Sequence, residues 1–298
     1  MTAVPMPQVE GVSHRDVHAR GLRFHVAEAG TERGASDAAL PVVLLHGWPQ
    51  HWFMWRDVIP ALAAERRVIA PDLRGLGWSD APRSGYRKQE LADDVLALLT
   101  ELGVERFDLI GHDWGAYAGF LICLTAPERV GHYLGCSIPH LWPPAERPSV
   151  RRLLNLWYQV ALATPGLGQG LMRQGEFTRR VLKVARSHGR YTDEELAAFV
   201  DVLREPDHAN ATSQYYRTFL LHELRPLISG AMKARTLTTP THLLWGRRDQ
   251  ILQRSHATGQ HERYAPNMTI EWVEDTGHFL PEERPELVVQ RACELFGS

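Results

Sequence analysis

The chain has 298 residues, 44% of them hydrophobic and 23% charged, with nine tryptophans, so it can bury a large core and does not read as disordered. Lys plus Arg number 33 and Asp plus Glu 35, and the formal net charge of −2 leaves no electrostatic case for nucleic acid or an anionic membrane surface. Three cysteines, Cys123, Cys136 and Cys293, sit at wide spacing without a CxxC, which argues against a disulfide scaffold or a zinc site.

The opening stretch, residues 1–21, lacks the basic start and continuous apolar run of a signal peptide. Later apolar runs, such as residues 120–124, are too short to span a bilayer. The expectation is a cytoplasmic protein without membrane insertion.

Taken in chain order, residues 22–27, 42–45, 68–71 and 107–110 read as strands, and helical patterns fall near Ala61 and over 90–102 and 116–124. A further strand is expected over 133–137. Such alternation implies α/β architecture, a mostly parallel central sheet covered by helices on both faces. The middle differs. It opens with Pro139, Pro143, Pro144 and Pro148, then shows helical periodicity in Leu153, Leu154, Trp157, Val160 and Ala161, with no strand pattern. Thr192-Asp193-Glu194-Glu195 is a capping-box start to an amphipathic helix, and a last helix is expected over 213–224, stopped near Pro226. The core pattern resumes with strands at 241–245 and 269–273 and a final helix at 285–295. Residues 139–229 therefore read as a helical insertion between two parts of one α/β core, 1–138 and 230–298.

Three segments carry candidate chemistry. Gly111-His112-Asp113-Trp114-Gly115 runs from a strand into a helix through a Gly-x-Asp-x-Gly turn, whose glycines permit a tight elbow that exposes the central side chain. Trp245-Gly246-Arg247-Arg248-Asp249 follows the next strand but one, and Asp275-Thr276-Gly277-His278-Phe279 follows the last. Alone, Asp113 reads equally well as a helix N-cap, Asp249 as a solvated loop carboxylate and His278 as a loop histidine. All three at strand ends, in the order nucleophile, acid, histidine, point to a catalytic triad. A fourth segment, Leu45-His46-Gly47-Trp48-Pro49, supplies a backbone N–H at Trp48 that can pair with that of Trp114 as an oxyanion hole. His46 is the competing histidine and reads as a shaper of its turn; His112 reads as packed.

Together, HGWP, the run DLRGLGWSD from Asp72 to Asp80, GHDWGAYAG, WGRRD and DTGHF resemble the α/β-hydrolase family, and within it the epoxide hydrolase branch. The resemblance covers nearly the whole core, and the insertion falls where that family carries a helical cap. It implies an epoxide hydrolase that uses Asp113, Asp249 and His278, needs no metal or organic cofactor, and takes a small-molecule epoxide and water. It also implies two cap tyrosines facing the nucleophile. Tyr158, in Asn155-Leu156-Trp157-Tyr158-Gln159, matches the first, and Tyr216, in Gln214-Tyr215-Tyr216-Arg217, the second, with Tyr215 as its rival.

The nucleophile's identity constrains the reaction. Serine attacking an sp3 carbon gives an ether, a dead end, whereas aspartate gives an ester whose carbonyl water can attack. Without serine at the elbow, a serine esterase is excluded. A haloalkane dehalogenase remains an alternative, with Trp142 and Trp157 as halide donors. A non-catalytic binding protein on the same scaffold is another, although no expected group is missing. Oligomeric state is left open.

Overall fold

The computed structural model describes residues 4–30, 39–143, 157–252 and 260–297. Eight strands form one sheet: β1 (Ser13–Ala19), β2 (Leu22–Ala29), β3 (Val42–Leu45), β4 (Val68–Pro71), β5 (Phe107–His112), β6 (Val130–Cys136), β7 (Thr241–Gly246) and β8 (Met268–Val273). Their spatial order is β1-β2-β4-β3-β5-β6-β7-β8. The β1–β2 and β2–β4 pairs are antiparallel, and the other five are parallel.

The sequence dictates this arrangement through its central strands. β3, β4 and β5 are buried at every position, and strands apolar on both faces need cover on both. Side chains of β3 alternate accordingly. Val43 and Leu45 join a core layer with Leu91, Val95 and Leu98 of the helix Lys88–Glu101. Val42 and Leu44 join the opposite layer with Val288, Ala292 and Phe296 of the helix Pro285–Phe296.

β1 is the strand that periodicity misses. In Ser-His-Arg-Asp-Val-His-Ala only Val17 and Ala19 are buried, because β1 lies at the sheet edge.

Between β6 and β7 the described residues carry helices and no strand: Trp157–Ala163, Leu167–Gln174, Glu176–Val184, Asp193–Leu203 and Pro206–Thr218, then a π-helical stretch Phe219–Glu223 and a short helix Leu224–Ile228. Thr192 caps as its spacing predicts. Its Oγ1 accepts from the Glu195 N–H at 3.1 Å, and Glu195 accepts from the Thr192 N–H at 2.8 Å. The expected helix over 213–224 is corrected. It starts at Pro206, after the extended Glu205, where a missing N–H costs no helical bond. Pro226 lies within Leu224–Ile228, and the helical run ends two residues after it, close to the expected stop. Pro144, Pro148, Leu153 and Leu154 lie outside the described residues. Among those described, no helix is long and apolar enough to cross a membrane.

Candidate active site

Four loops converge at the carboxyl edge of the parallel strands, where open α/β sheets place their sites. Trp48 follows β3, Asp113 follows β5, Asp249 follows β7 and His278 follows β8.

Asp113 begins the helix Asp113–Thr125 with φ +50°, a left-handed conformation that non-glycine residues adopt at a cost of about 1–3 kcal/mol. The neighbours make that turn possible. A Cβ on Gly115 would collide with the Leu45 and His46 carbonyls, and one on Gly47 with the Asp113 side chain. The elbow and the HGWP loop therefore press directly together.

Asp113 is buried. Its Oδ1 accepts from the Trp48 backbone N–H at 3.0 Å, and its Oδ2 lies 3.7 Å from His278 Nε2. Burial alone would push this carboxyl up, but interaction with His278, the nearby His112 and the Trp114 backbone N–H hold it below its ordinary value. The two expected oxyanion-hole donors thus both face this carboxylate.

His278 Nδ1 donates to Asp249 Oδ2 at 2.9 Å, while Asp249 Oδ1 accepts from the Ile251 and Leu252 N–H groups at 2.8 Å each. Burial opposes charge on the imidazole, but the Asp249 and Asp113 carboxylates outweigh it and raise His278 to about 10. The loop is anchored from outside the core as well. The His278 N–H donates to the Ala185 carbonyl at 2.8 Å, and the Glu283 carboxylate accepts from the N–H groups of Gly277, Ser187 and His188 at 3.0, 3.0 and 2.8 Å.

The competing histidines are committed elsewhere. His46 is fully buried, accepts at Nε2 from the Leu73 N–H at 2.9 Å and faces the Gly47 carbonyl with Nδ1. Burial lowers its pKa, so it is a neutral brace for its turn. His112 faces the His278 carbonyl at 2.9 Å, and burial brings it down to about 4.

Tyr158 and Tyr216 come together on separate helices, with ring centroids 6.0 Å apart. Tyr216 also stands edge-on to Trp48 and Trp114, at 5.4 and 5.8 Å. Burial pushes both hydroxyls well above the ordinary tyrosine value, and the Asp113 charge acts on each in the same direction. The Tyr158 hydroxyl accepts from Gln159 Nε2 at 3.1 Å. The Tyr215 hydroxyl points elsewhere and donates to the Arg74 carbonyl at 2.8 Å. Of the tryptophans considered for halide, Trp142 donates its indole N–H to the Met232 carbonyl at 2.9 Å, and Trp157 is 63% exposed. Lys88, which touches both Trp114 and Glu223, escaped the sequence reading because an Arg-Lys-Gln run at a helix start reads as a solvated face.

A family model for the alpha/beta hydrolase fold matches residues 41–285. The chain belongs to that family. It is 32% identical over 298 residues to a soluble epoxide hydrolase of Corynebacterium sp. (strain C12), covering 96% of this chain and 97% of the relative. It is 31% identical over 289 residues to epoxide hydrolase 4 of Homo sapiens, covering 90% and 74% of the two chains. The solved structure of epoxide hydrolase CorEH without ligand superposes with a TM-score of 0.83 at 30% identity, covering 96% of this chain and 99% of that one. These similarities place this α/β-hydrolase in the epoxide hydrolase branch. It is accordingly a hydrolase, and hydrolases of this family act on small molecules with water.

Proposed function

We propose that this α/β-hydrolase opens epoxides to vicinal diols through a covalent ester on Asp113. The observation that carries the reading is a carboxylate at the elbow, facing backbone N–H groups on one side and an imidazole on the other. The two oxygens divide the work. Oδ1, bonded to the Trp48 N–H, is the weaker nucleophile and becomes the ester carbonyl oxygen; Oδ2 attacks the epoxide carbon. That carbon's bond to the ring oxygen breaks, and Tyr158 or Tyr216 protonates the released alkoxide. Residues 139–229 act as the cap that brings both hydroxyls over Asp113, between core parts 1–138 and 230–298.

Ester formation neutralises Asp113 and removes one of the two carboxylates that hold the His278 proton; that proton passes to solvent, to be regained once the Asp113 carboxylate is restored, so the imidazole is a base when water is needed. His278 takes a proton from water, whose oxygen adds to the Asp113 carbonyl carbon. The Trp48 and Trp114 N–H groups stabilise the resulting oxyanion. Collapse expels the diol oxygen, which takes the proton back from His278, and the proton left on Asp113 restores the tyrosine. Asp249 orients the imidazole and stabilises its charged form. The three cysteines are unbridged, as suits a cytoplasmic setting.

One observation favours a second reading, halide release. The Trp114 indole N–H is buried and adjoins the Tyr216 hydroxyl, whose ionised form it favours, without a hydrogen bond of ordinary geometry. A halide could accept from it.

The test is a single turnover in heavy-oxygen water with styrene oxide, run beside a 1-haloalkane. The expected result is label in the Asp113 carboxylate and an unlabelled first diol. Label in that diol and none in Asp113 overturns covalent catalysis, free halide without diol selects the second reading, and tight binding without turnover makes the protein a binding module.

A further inference from the structure

Lys88 opens the helix Lys88–Glu101, yet its side chain is wholly buried. Its ammonium donates to the Tyr215 carbonyl at 2.7 Å and to Glu223 Oε2 at 3.1 Å, reaches the Tyr86 carbonyl at 3.3 Å, and stands 4.6 Å from the ring centroid of Trp114. Glu223, in the π-helical stretch, also accepts the Lys88 backbone N–H at 2.7 Å. A second stitch runs beside it, from Thr218 Oγ1 to the Tyr86 carbonyl at 2.8 Å.

A lysine is taken fully out of water at a cost of several kcal/mol unless it is paired and hydrogen-bonded. If this site served packing alone, a leucine or methionine would fill it without that cost. Two of its contacts reach the proposed chemistry instead. The Tyr215 carbonyl belongs to the peptide that carries Tyr216, and the Trp114 indole belongs to the residue whose N–H faces Asp113. We propose that Lys88, held by Glu223, is a positioning residue for epoxide opening: it ties the Tyr215–Tyr216 peptide and the Trp114 indole to one point and thereby sets the Tyr216 hydroxyl over Asp113. This rests on the epoxide reading above.

The charged and titratable groups facing Lys88 are Glu223 from the insertion, Asp113 from the elbow and the Tyr215 ring, 5.6 Å away. Burial lowers its ammonium to about 8, while Glu223 and Asp113 support the charge. The ionic part of the clamp is therefore present below that value and fades above it.

The test measures ester formation and ester hydrolysis separately, by rapid quench across neutral and alkaline pH. In the parent, ester formation should decline as pH rises through about 8. Lys88→Met should slow ester formation by about 10- to 100-fold and abolish that decline, with hydrolysis of the formed ester much less affected. Glu223→Gln, which keeps a polar partner, should move the decline to lower pH. A folded Lys88→Met protein with the parental rate and pH profile, or a Glu223→Gln decline that does not move, overturns the clamp. Backbone amide exchange over Pro206–Thr218 in substrate-free protein separates the two proposals. A parent that forms no ester overturns the epoxide reading alone. Faster exchange in the variants then upholds the clamp, and unchanged exchange overturns it.

Discussion

The Trp48 backbone N–H lies 3.0 Å from Asp113 Oδ1, across 65 positions of sequence. The bond exists because Gly47, immediately before Trp48, has no Cβ to strike the Asp113 side chain. Gly47→Ala should push the carboxylate off the N–H and cost about 1–3 kcal/mol of overpacking. Thermal melting and single-turnover ester formation check this, with both expected to fall. Parental values for both would show that the contact relaxes freely.

Replacement of His278 by Gln should leave ester formation possible and stop hydrolysis, so the protein should accumulate an added substrate mass. Asp249→Asn should give a weaker version, since Nδ1 would lose its carboxylate partner at 2.9 Å. Intact-mass spectrometry after mixing with excess epoxide reads both. Near-parental steady turnover by His278→Gln would move the base elsewhere.

Each of Tyr158→Phe and Tyr216→Phe removes one hydroxyl and keeps the ring packing. Each should slow ester formation by about a hundredfold, by analogy with the loss of one oxyanion donor, and the double variant should nearly abolish it. Tyr215→Phe, which loses only its bond to the Arg74 carbonyl, should keep ring opening close to parental. Rapid-quench rates on folded variants decide, and a double variant that opens epoxides at the parental rate returns both rings to packing.

His278 should titrate near 10 in the resting protein and lower in Asp113→Asn, where one of its two carboxylates is gone. Ring-proton NMR against pH measures the difference. The sign for stability follows. Because the folded value lies above the ordinary 6.5, the stabilisation from this proton is complete below 6.5 and is lost as pH rises towards about 10. Asp113→Asn should flatten the decline of melting temperature over that window, and an unchanged His278 titration would remove Asp113 from the account.

Much of this geometry is legible because it is local. The glycines around Asp113, the turns before Asp249 and His278, and the β-rich runs of β3 to β8 all announce themselves within a few residues. What escapes is set by contacts distant in sequence. Tyr215 and Tyr216 are neighbours about 100° apart on a helix, so only tertiary packing decides which faces Asp113. The burial of Lys88 depends on Glu223 and Tyr215, more than a hundred positions away. β1 hides because an edge strand needs only two buried side chains.

The anchors of the His278 loop also bear on engineering. Ala185, Ser187 and His188 belong to the helical insertion, yet they bond to His278 and to Glu283, which in turn accepts from Gly277. The insertion is therefore not a detachable lid. Grafting this segment from a relative, in order to reshape substrate choice, would also replace the mooring of the histidine loop. Chimeras that exchange residues 185–188 together with 277–283 should preserve the imidazole's position, whereas those that cut between these segments should lose ester hydrolysis before they lose the fold.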